Sequence, residues 1–314
     1  MQSYTSNKMG LGKRISEFRN LFKLHSHDVS RIVRRMIERI HRTEAAIQRH
    51  TGATVENMRI LEIGPGQKQP QMLYFGRKNQ VVGIDIDYVA NGWNPIGYVK
   101  MLKSNGFTRT CKTVARKMLR LDARYHKEMK RQLGGMKPLQ NILQMDAADL
   151  KFEAGSFDAV YTSAVFEHLP EPGKVLEEVK RVLKPGGIVF IDLHLFTSDS
   201  GCHDARIFAH RREMLPKWSH LRPKYQDRVQ TNAYLNKIRI NQWREIFEKH
   251  LPGCALEAWP DETPGLLDEI KQIKSGGELT EYADEELQTL TFVAVWKKPA
   301  EGAARETTAV TTAA

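Results

Sequence analysis

LEIGPGQ, residues 61–67, is the end of an apolar run turning on two glycines. The run itself is MRILEI at 58–63. Gly64 and Gly66 let the backbone bend sharply and approach a ligand with no side chain in between. Further short runs follow: QVVGID at 80–85, QNILQM at 140–145, FDAVYT at 157–162, GIVFIDL at 187–193, residues 254–259 and LTFVAVW at 290–296. Helical patterns near 67–76, 170–184 and 240–250 separate them. Continuous β-branched runs alternating with helices predict an α/β fold, a mostly parallel sheet with helices on both faces.

A strand, a glycine turn and a helix fit the binding of NAD, FAD, a nucleotide or S-adenosylmethionine (SAM) alike. A dinucleotide fingerprint starting at Gly64 needs Gly or Ala at 69, and Gln69 stands there. The phosphate-binding pattern GxxxxGK[ST] is absent. The second run ends in GIDID, so Asp85 is positioned to accept hydrogen bonds from ribose hydroxyls. QMDAADL puts Asp146 at the end of the third run, where a carboxylate can receive an adenine amine.

With these elements in order, and with SFDAVYTSAVFEHLPEPGKVLEEVKRVLKPGGIVFIDLHLF at 156–196, the sequence resembles the class I SAM-dependent methyltransferases of the type 11 kind over residues 58–196. The resemblance implies a Rossmann-like, seven-stranded sheet whose last strand runs antiparallel, with SAM lying across the strand C-termini. It implies that Gly64 and Gly66 border the methionine part of SAM, Asp85 the ribose and Asp146 the adenine. Glu62 matches the family's acidic position near the amino group, and Ser163 is a further expected contact. Lys68 departs from the pattern, since many members carry a third glycine there.

An oxygen nucleophile needs a base for its proton. The candidates are His168 in VFEHL, His194 in DLHLF and His203 in SDSGCHD, with His194, at the end of the fifth strand, favoured. His194, His203, Asp204 and His210 have the chemistry of metal ligands, yet their spacing matches no recognised site, so no metal is assigned. Residues 232–250, NAYLNKIRINQWREIFEKH, resemble a run in methyltransferases of bacterial surface-polysaccharide and glycan clusters, which tilts the acceptor towards a sugar or another small oxygen nucleophile. Trp218 and Trp243 would suit a sugar ring, although such tryptophans more commonly belong to a core. Arg206, Arg211, Arg212 and Arg222 would suit an anionic group on the acceptor.

The 314 residues carry a net charge of +11, unevenly spread. Residues 1–50 are net +7, 88–140 net +10 and 205–250 net +7, whereas 141–204 are net −6. This sets out a basic helical extension at 1–52, a methyltransferase domain at 53–298 and a disordered tail at 299–314. Helical inserts interrupt the domain at about 88–139 and 197–240. In the extension, Leu11, Ile15, Phe18 and Phe22 are helically spaced, as are Ile32, Met36 and Ile40, and Gly52 is placed to end a helix. Three scattered cysteines exclude a disulfide framework and point to a reducing, cytoplasmic setting. No run reaches the length of a membrane span, and the first twenty residues lack the form of a signal peptide. Two other readings remain: an RNA methyltransferase gripping phosphates with the 88–140 block, and a SAM-fold binding protein without turnover. Few aromatics in that block, and TSAV rather than NPPY or DPPY at 162–165, count against base methylation.

Overall fold

The computed structural model describes residues 28–90, 92–138, 142–208, 215–231 and 233–300. Seven strands form one sheet: β1 (Arg59–Ile63), β2 (Gln80–Asp85), β3 (Ile142–Gln144), β4 (Phe157–Ser163), β5 (Leu183–His194), β6 (Ala255–Pro260) and β7 (Thr289–Lys297). Their order is β3-β2-β1-β4-β5-β7-β6. β1 to β5 pair in parallel, and β7 runs antiparallel to β5 and β6. The chain reverses its direction of travel across the sheet between β1 and β4. In open α/β sheets that crevice, outside the strand C-termini, is where ligands bind.

The strands read as unbroken apolar runs because both faces are buried. Leu61, Val160, Val189, Ile191 and Phe292 pack on one side, against α6 (Pro172–Val182) and α8 (Ile240–His250). Ile60, Tyr161, Ile188, Phe190 and Val293 pack on the other. There they meet α1 (Val29–Thr51), α2 (Pro70–Phe75) and α5 (Leu121–Gln132). Neighbouring residues of one strand thus serve opposite cores, as the two-residue period of a strand requires.

Helix α1 starts at Asp28, whose side chain accepts from the Arg31 N–H at 3.0 Å. It ends at Gly52, in the left-handed conformation at φ +71°. Val33, Ile40, Ala46 and Ile47 are buried against the sheet. Fully burying a side chain such as Val33 or Ile40 contributes roughly 1.5–3 kcal/mol. The expected helix through Leu11 and Phe22, and the tail from 301, lie outside the described residues.

The first insert comprises α3 (Pro95–Asn105), α4 (Phe107–Met118) and α5, which returns to α1 through Tyr125 and Met129. Among its described residues the second holds α7 (Ala205–Phe208) and a short 3-10 turn at Pro223–Arg228. The β6–β7 connection holds two helices that the sequence reading left unassigned, α9 (Leu266–Ser275) and α10 (Asp284–Gln288). Leu266, Ile270 and Ile273 carry the helical spacing that marks α9. β5 starts at Leu183 rather than 187, because KPGG lies within the strand, beside a register shift between Phe157 and Ala159.

Candidate active site

The glycine turn leaves β1 at the crevice. Gly64 donates its N–H to the Ile84 carbonyl at 2.8 Å, extending the β1–β2 ladder by one residue. Its φ of +72° is left-handed, and a Cβ there would collide with Val165 Cγ2. Only glycine fits such a position. Gly66 is also left-handed at φ +62°, but faces open space. Gln67, next in the loop, donates from Nε2 to Thr113 Oγ1 at 2.7 Å, tying the turn to α4 of the first insert.

Three carboxylates stand at or near the C-terminal ends of β1, β2 and β3. Glu62 on β1 is buried, and its Oε2 has no hydrogen-bond partner. Burial alone pushes its carboxyl well above the usual range. Asp85, the last residue of β2, accepts the Asp87 N–H at 2.9 Å. Burial raises it to about 6, against the pull of Arg109 and of the Gly66 backbone. Arg109 itself pairs with Asp87. Asp146, two residues beyond β3, accepts the Ala148 N–H at 2.9 Å and is half-buried.

These residues fit SAM. A buried carboxyl with one unpartnered oxygen suits its cationic amino group, the glycine turn admits a chain passing close to backbone, and carboxylates at the next two strand ends suit its hydroxyls and amine. Ser163, last in β4, donates from Oγ to Asp192 Oδ1 at 2.8 Å. Asp192 on β5 also receives Arg39 Nη2 from α1 at 2.6 Å.

After β4 the chain passes through Ala164, at φ +54°, into a 3-10 turn at Phe166–His168. Left-handed non-glycine residues at such turns are rare and are held by their surroundings. Asn236 supplies that hold: its Nδ2 donates to the Phe166 and Leu169 carbonyls at 2.7 and 3.0 Å, and its N–H to the Glu167 carbonyl at 2.9 Å. The run at 232–250 thus packs onto the turn, a link that sequence alone did not predict.

The three candidate bases come together around Glu167. The His203 ring lies 4.9 Å from that of His168 and 4.8 Å from that of His194. His168 Nδ1 is 2.7 Å from the Tyr234 carbonyl, which can only accept, so Nδ1 carries the proton and Nε2 the lone pair. His194 Nε2 lies 3.0 and 2.9 Å from the Ser198 and Ser200 hydroxyls. His203 Nε2 has no partner and stands 4.0 Å from Glu167 Oε1, and both Glu167 oxygens lack a well-formed hydrogen bond. Burial pushes His203 down to about 2 and His194 to about 3, and pushes Glu167 up to about 8. Glu167, His168 and His203 offer ligand atoms within 4.8 Å of one another, a grouping that the sequence reading did not make.

Several other expectations resolve differently. Asp204 accepts from Arg206 Nε and Nη2 and from the Arg206 and Gln230 N–H groups, so its oxygens hold the insert together. Arg222 makes two bonds to Glu278, at 2.8 and 2.6 Å. His210, Arg211 and Arg212 lie outside the described residues. Trp218 and Trp243 are buried. Trp218 packs with Leu266, Ile270 and Leu279, and Trp243 stacks on Phe247.

Against known proteins, a family model described as a methyltransferase domain (Methyltransf_11) matches residues 97–191. A phosphatidylethanolamine N-methyltransferase from Cereibacter sphaeroides is 39% identical over 67 residues, 21% of this chain and 32% of that one. A demethylmenaquinone methyltransferase from Paenarthrobacter aurescens is 29% identical over 126 residues, 40% of this chain and 42% of that one. The chain therefore spans less than half the length of these curated relatives. A solved structure, Haemonchus contortus phosphoethanolamine N-methyltransferase 2 in complex with S-adenosyl-L-methionine, is 19% identical at a TM-score of 0.40, covering 82% of this chain and 52% of that one. The matched segment takes in β3, β4 and most of β5, while the glycine turn lies before it. Strand order and the matched segment agree: the chain has the sheet of the class I SAM-dependent methyltransferase fold, with a methyltransferase-domain match over residues 97–191.

Proposed function

We propose that this chain transfers the methyl group of SAM to an oxygen of a small-molecule or glycan acceptor. The observation that carries methyl transfer is the placing of Glu62, Asp85 and Asp146 at or near the ends of three adjacent strands, the first of which runs into a left-handed glycine turn. SAM supplies a methyl group on a sulfonium centre, so the acceptor needs alignment and the loss of one proton.

The histidine cluster supports oxygen as the acceptor atom. His203 Nε2 is a buried nitrogen with no hydrogen-bond partner, and Glu167, 4.0 Å away, can share the charge that an incoming proton brings when it is ionised. His168, held by the Tyr234 carbonyl, and His194, held by two serines, act as positioning residues. Burial disfavours charge on both groups, so the pair takes up the acceptor's proton once Glu167 is ionised, which a carboxyl raised to about 8 places in mildly alkaline solution. The likeness of 232–250 to glycan-cluster methyltransferases supports a sugar hydroxyl. Asn236 and Arg239 in that run hold the active-site turn and Glu286, however, so the sugar reading does not rest on them.

The test is incubation with SAM labelled in its methyl carbon and a panel of hydroxylated acceptors, read by nuclear magnetic resonance. An O-methyl resonance is expected. Methyl on nitrogen or carbon instead, or no product from any oxygen acceptor, would overturn the oxygen reading.

A further inference from the structure

The first insert has a surface that the site does not use. Among the described residues, seven of the eleven exposed large apolar side chains fall between Trp93 and Leu119. Ile96, Val99 and Leu102 form an exposed stripe along α3, at spacings of three residues. Phe107 and Met118, 74% and 70% exposed, stand at the two ends of α4, and Trp93, 65% exposed, precedes α3. Scattered exposed apolar residues are ordinary, but such a concentration marks a contact surface.

Charge identifies the occupant. From Tyr88 to Leu121 the chain has seven basic residues and no acidic one, of which Arg109 and Arg116 pair with Asp87 and Asp122 at the margins. Lys100 and Lys103 are exposed on α3 beside the apolar stripe, and Arg120 is exposed just beyond Met118. Apolar side chains flanked by lysine and arginine, with a tryptophan at the margin, complement the boundary of an anionic bilayer, where rings and aliphatic chains enter and cations meet phosphates. A nucleic acid would match the charge but leave Ile96, Val99 and Met118 without partners. No described helix is long and apolar enough to cross a membrane, so this surface would lie on the bilayer rather than in it.

We propose that residues 93–120 dock the protein on an anionic lipid surface and that the acceptor reaches the site from that surface. The insert follows the C-terminal end of β2, and Gln67 of the glycine turn bonds to Thr113 on α4, so docking would set the crevice beside the bilayer. The second half of the proposal rests on the methyl-transfer reading; the docking half does not.

The experiment is co-sedimentation of the full chain with vesicles of phosphatidylcholine, with and without about a third phosphatidylglycerol. It is repeated on Ile96→Ser/Phe107→Ser/Met118→Ser and on Lys100→Glu/Lys103→Glu, and S-adenosylhomocysteine affinity is measured on every protein. The wild type should sediment with anionic vesicles only. Each variant should lose at least about tenfold in partitioning, with its affinity for S-adenosylhomocysteine unchanged. A wild type that ignores the vesicles, or variants that bind them as the wild type does, would overturn the docking surface. Vesicle binding without any S-adenosylhomocysteine binding would leave docking standing and remove the methyl-transfer reading.

Discussion

Arg39 Nη2 lies 2.6 Å from Asp192 Oδ1, joining a helix that precedes the sheet to the strand that closes the active-site crevice. Asp192 is fully buried and also receives the Ser163 hydroxyl. The Coulombic attraction of Asp192 raises the Arg39 guanidinium further above its ordinary value. The basic N-terminal helix α1 is therefore joined to the site, electrostatically as well as by packing.

Removing that cation leaves a carboxylate buried without its charge partner. Breaking one side of a buried pair costs about 3–5 kcal/mol, and Arg39 keeps some contact with water, so Arg39→Met should destabilise by about 3 kcal/mol. Arg39→Met/Asp192→Asn should recover at least half of the loss. Urea unfolding of the three proteins reads this directly, and equal destabilisation by the single and double variants would contradict it.

The two glycines of the turn should differ. Gly64→Ala brings a left-handed alanine, a strain of about 1–2 kcal/mol, and a collision with Val165 Cγ2 as well. Gly66→Ala brings the strain alone. Calorimetric titration with S-adenosylhomocysteine should show a loss of at least about tenfold for Gly64→Ala and a smaller loss for Gly66→Ala. Adding Val165→Ala to Gly64→Ala removes the methyl groups that the new Cβ meets, and should restore part of the affinity.

Asp85 supplies a pH dependence. Its carboxyl stands at about 6 in the folded chain against an ordinary 3.8, chiefly through burial. The folded chain therefore binds more protons than the unfolded chain between those values, and this group's contribution to stability falls as pH rises through that window. Ligand binding runs the other way, since ribose hydroxyls need an ionised acceptor. S-Adenosylhomocysteine affinity should be full above pH 7 and fall by up to about tenfold per unit below 6. Asp85→Asn should bind weakly and lose the part of this slope that Asp85 supplies, keeping that of Glu62, and an unchanged slope in that variant would contradict the assignment.

Glu167 and His203 should separate chemistry from cofactor binding. Glu167→Gln and His203→Ala should each lower kcat about 10²–10⁴-fold, with S-adenosylhomocysteine affinity within about twofold of wild type. His194→Asn should cost less, because His194 Nε2 is already engaged by the Ser198 and Ser200 hydroxyls. A larger loss from His194→Asn than from His203→Ala would return the base to the end of β5.

The sheet was legible because its information is local. Both faces of β1, β4, β5 and β7 are buried, so each strand is written as an apolar run, and Gly64, Asp85 and Asp146 follow directly from strand ends. The rest is written in pairs distant in sequence. Arg39 and Asp192 are 153 residues apart, and Asn236 reaches across 70 residues to the turn at Phe166. The meeting of Glu167 with His203 requires the path of the second insert. Trp218 belongs to a core completed by α9, which the sequence reading had not assigned. Arg222 faces Glu278, 56 residues further on, whose approach no local pattern records.

The central claim is that the crevice around Gly64 and Asp85 binds SAM, and calorimetric titration of the wild type, Asp85→Ala and Gly64→Val with SAM and S-adenosylhomocysteine tests it most directly. The account predicts micromolar binding by the wild type, about −8 kcal/mol, lost in both variants while their circular dichroism is unchanged. A folded wild type that binds neither compound, or variants that bind as the wild type does, would contradict it.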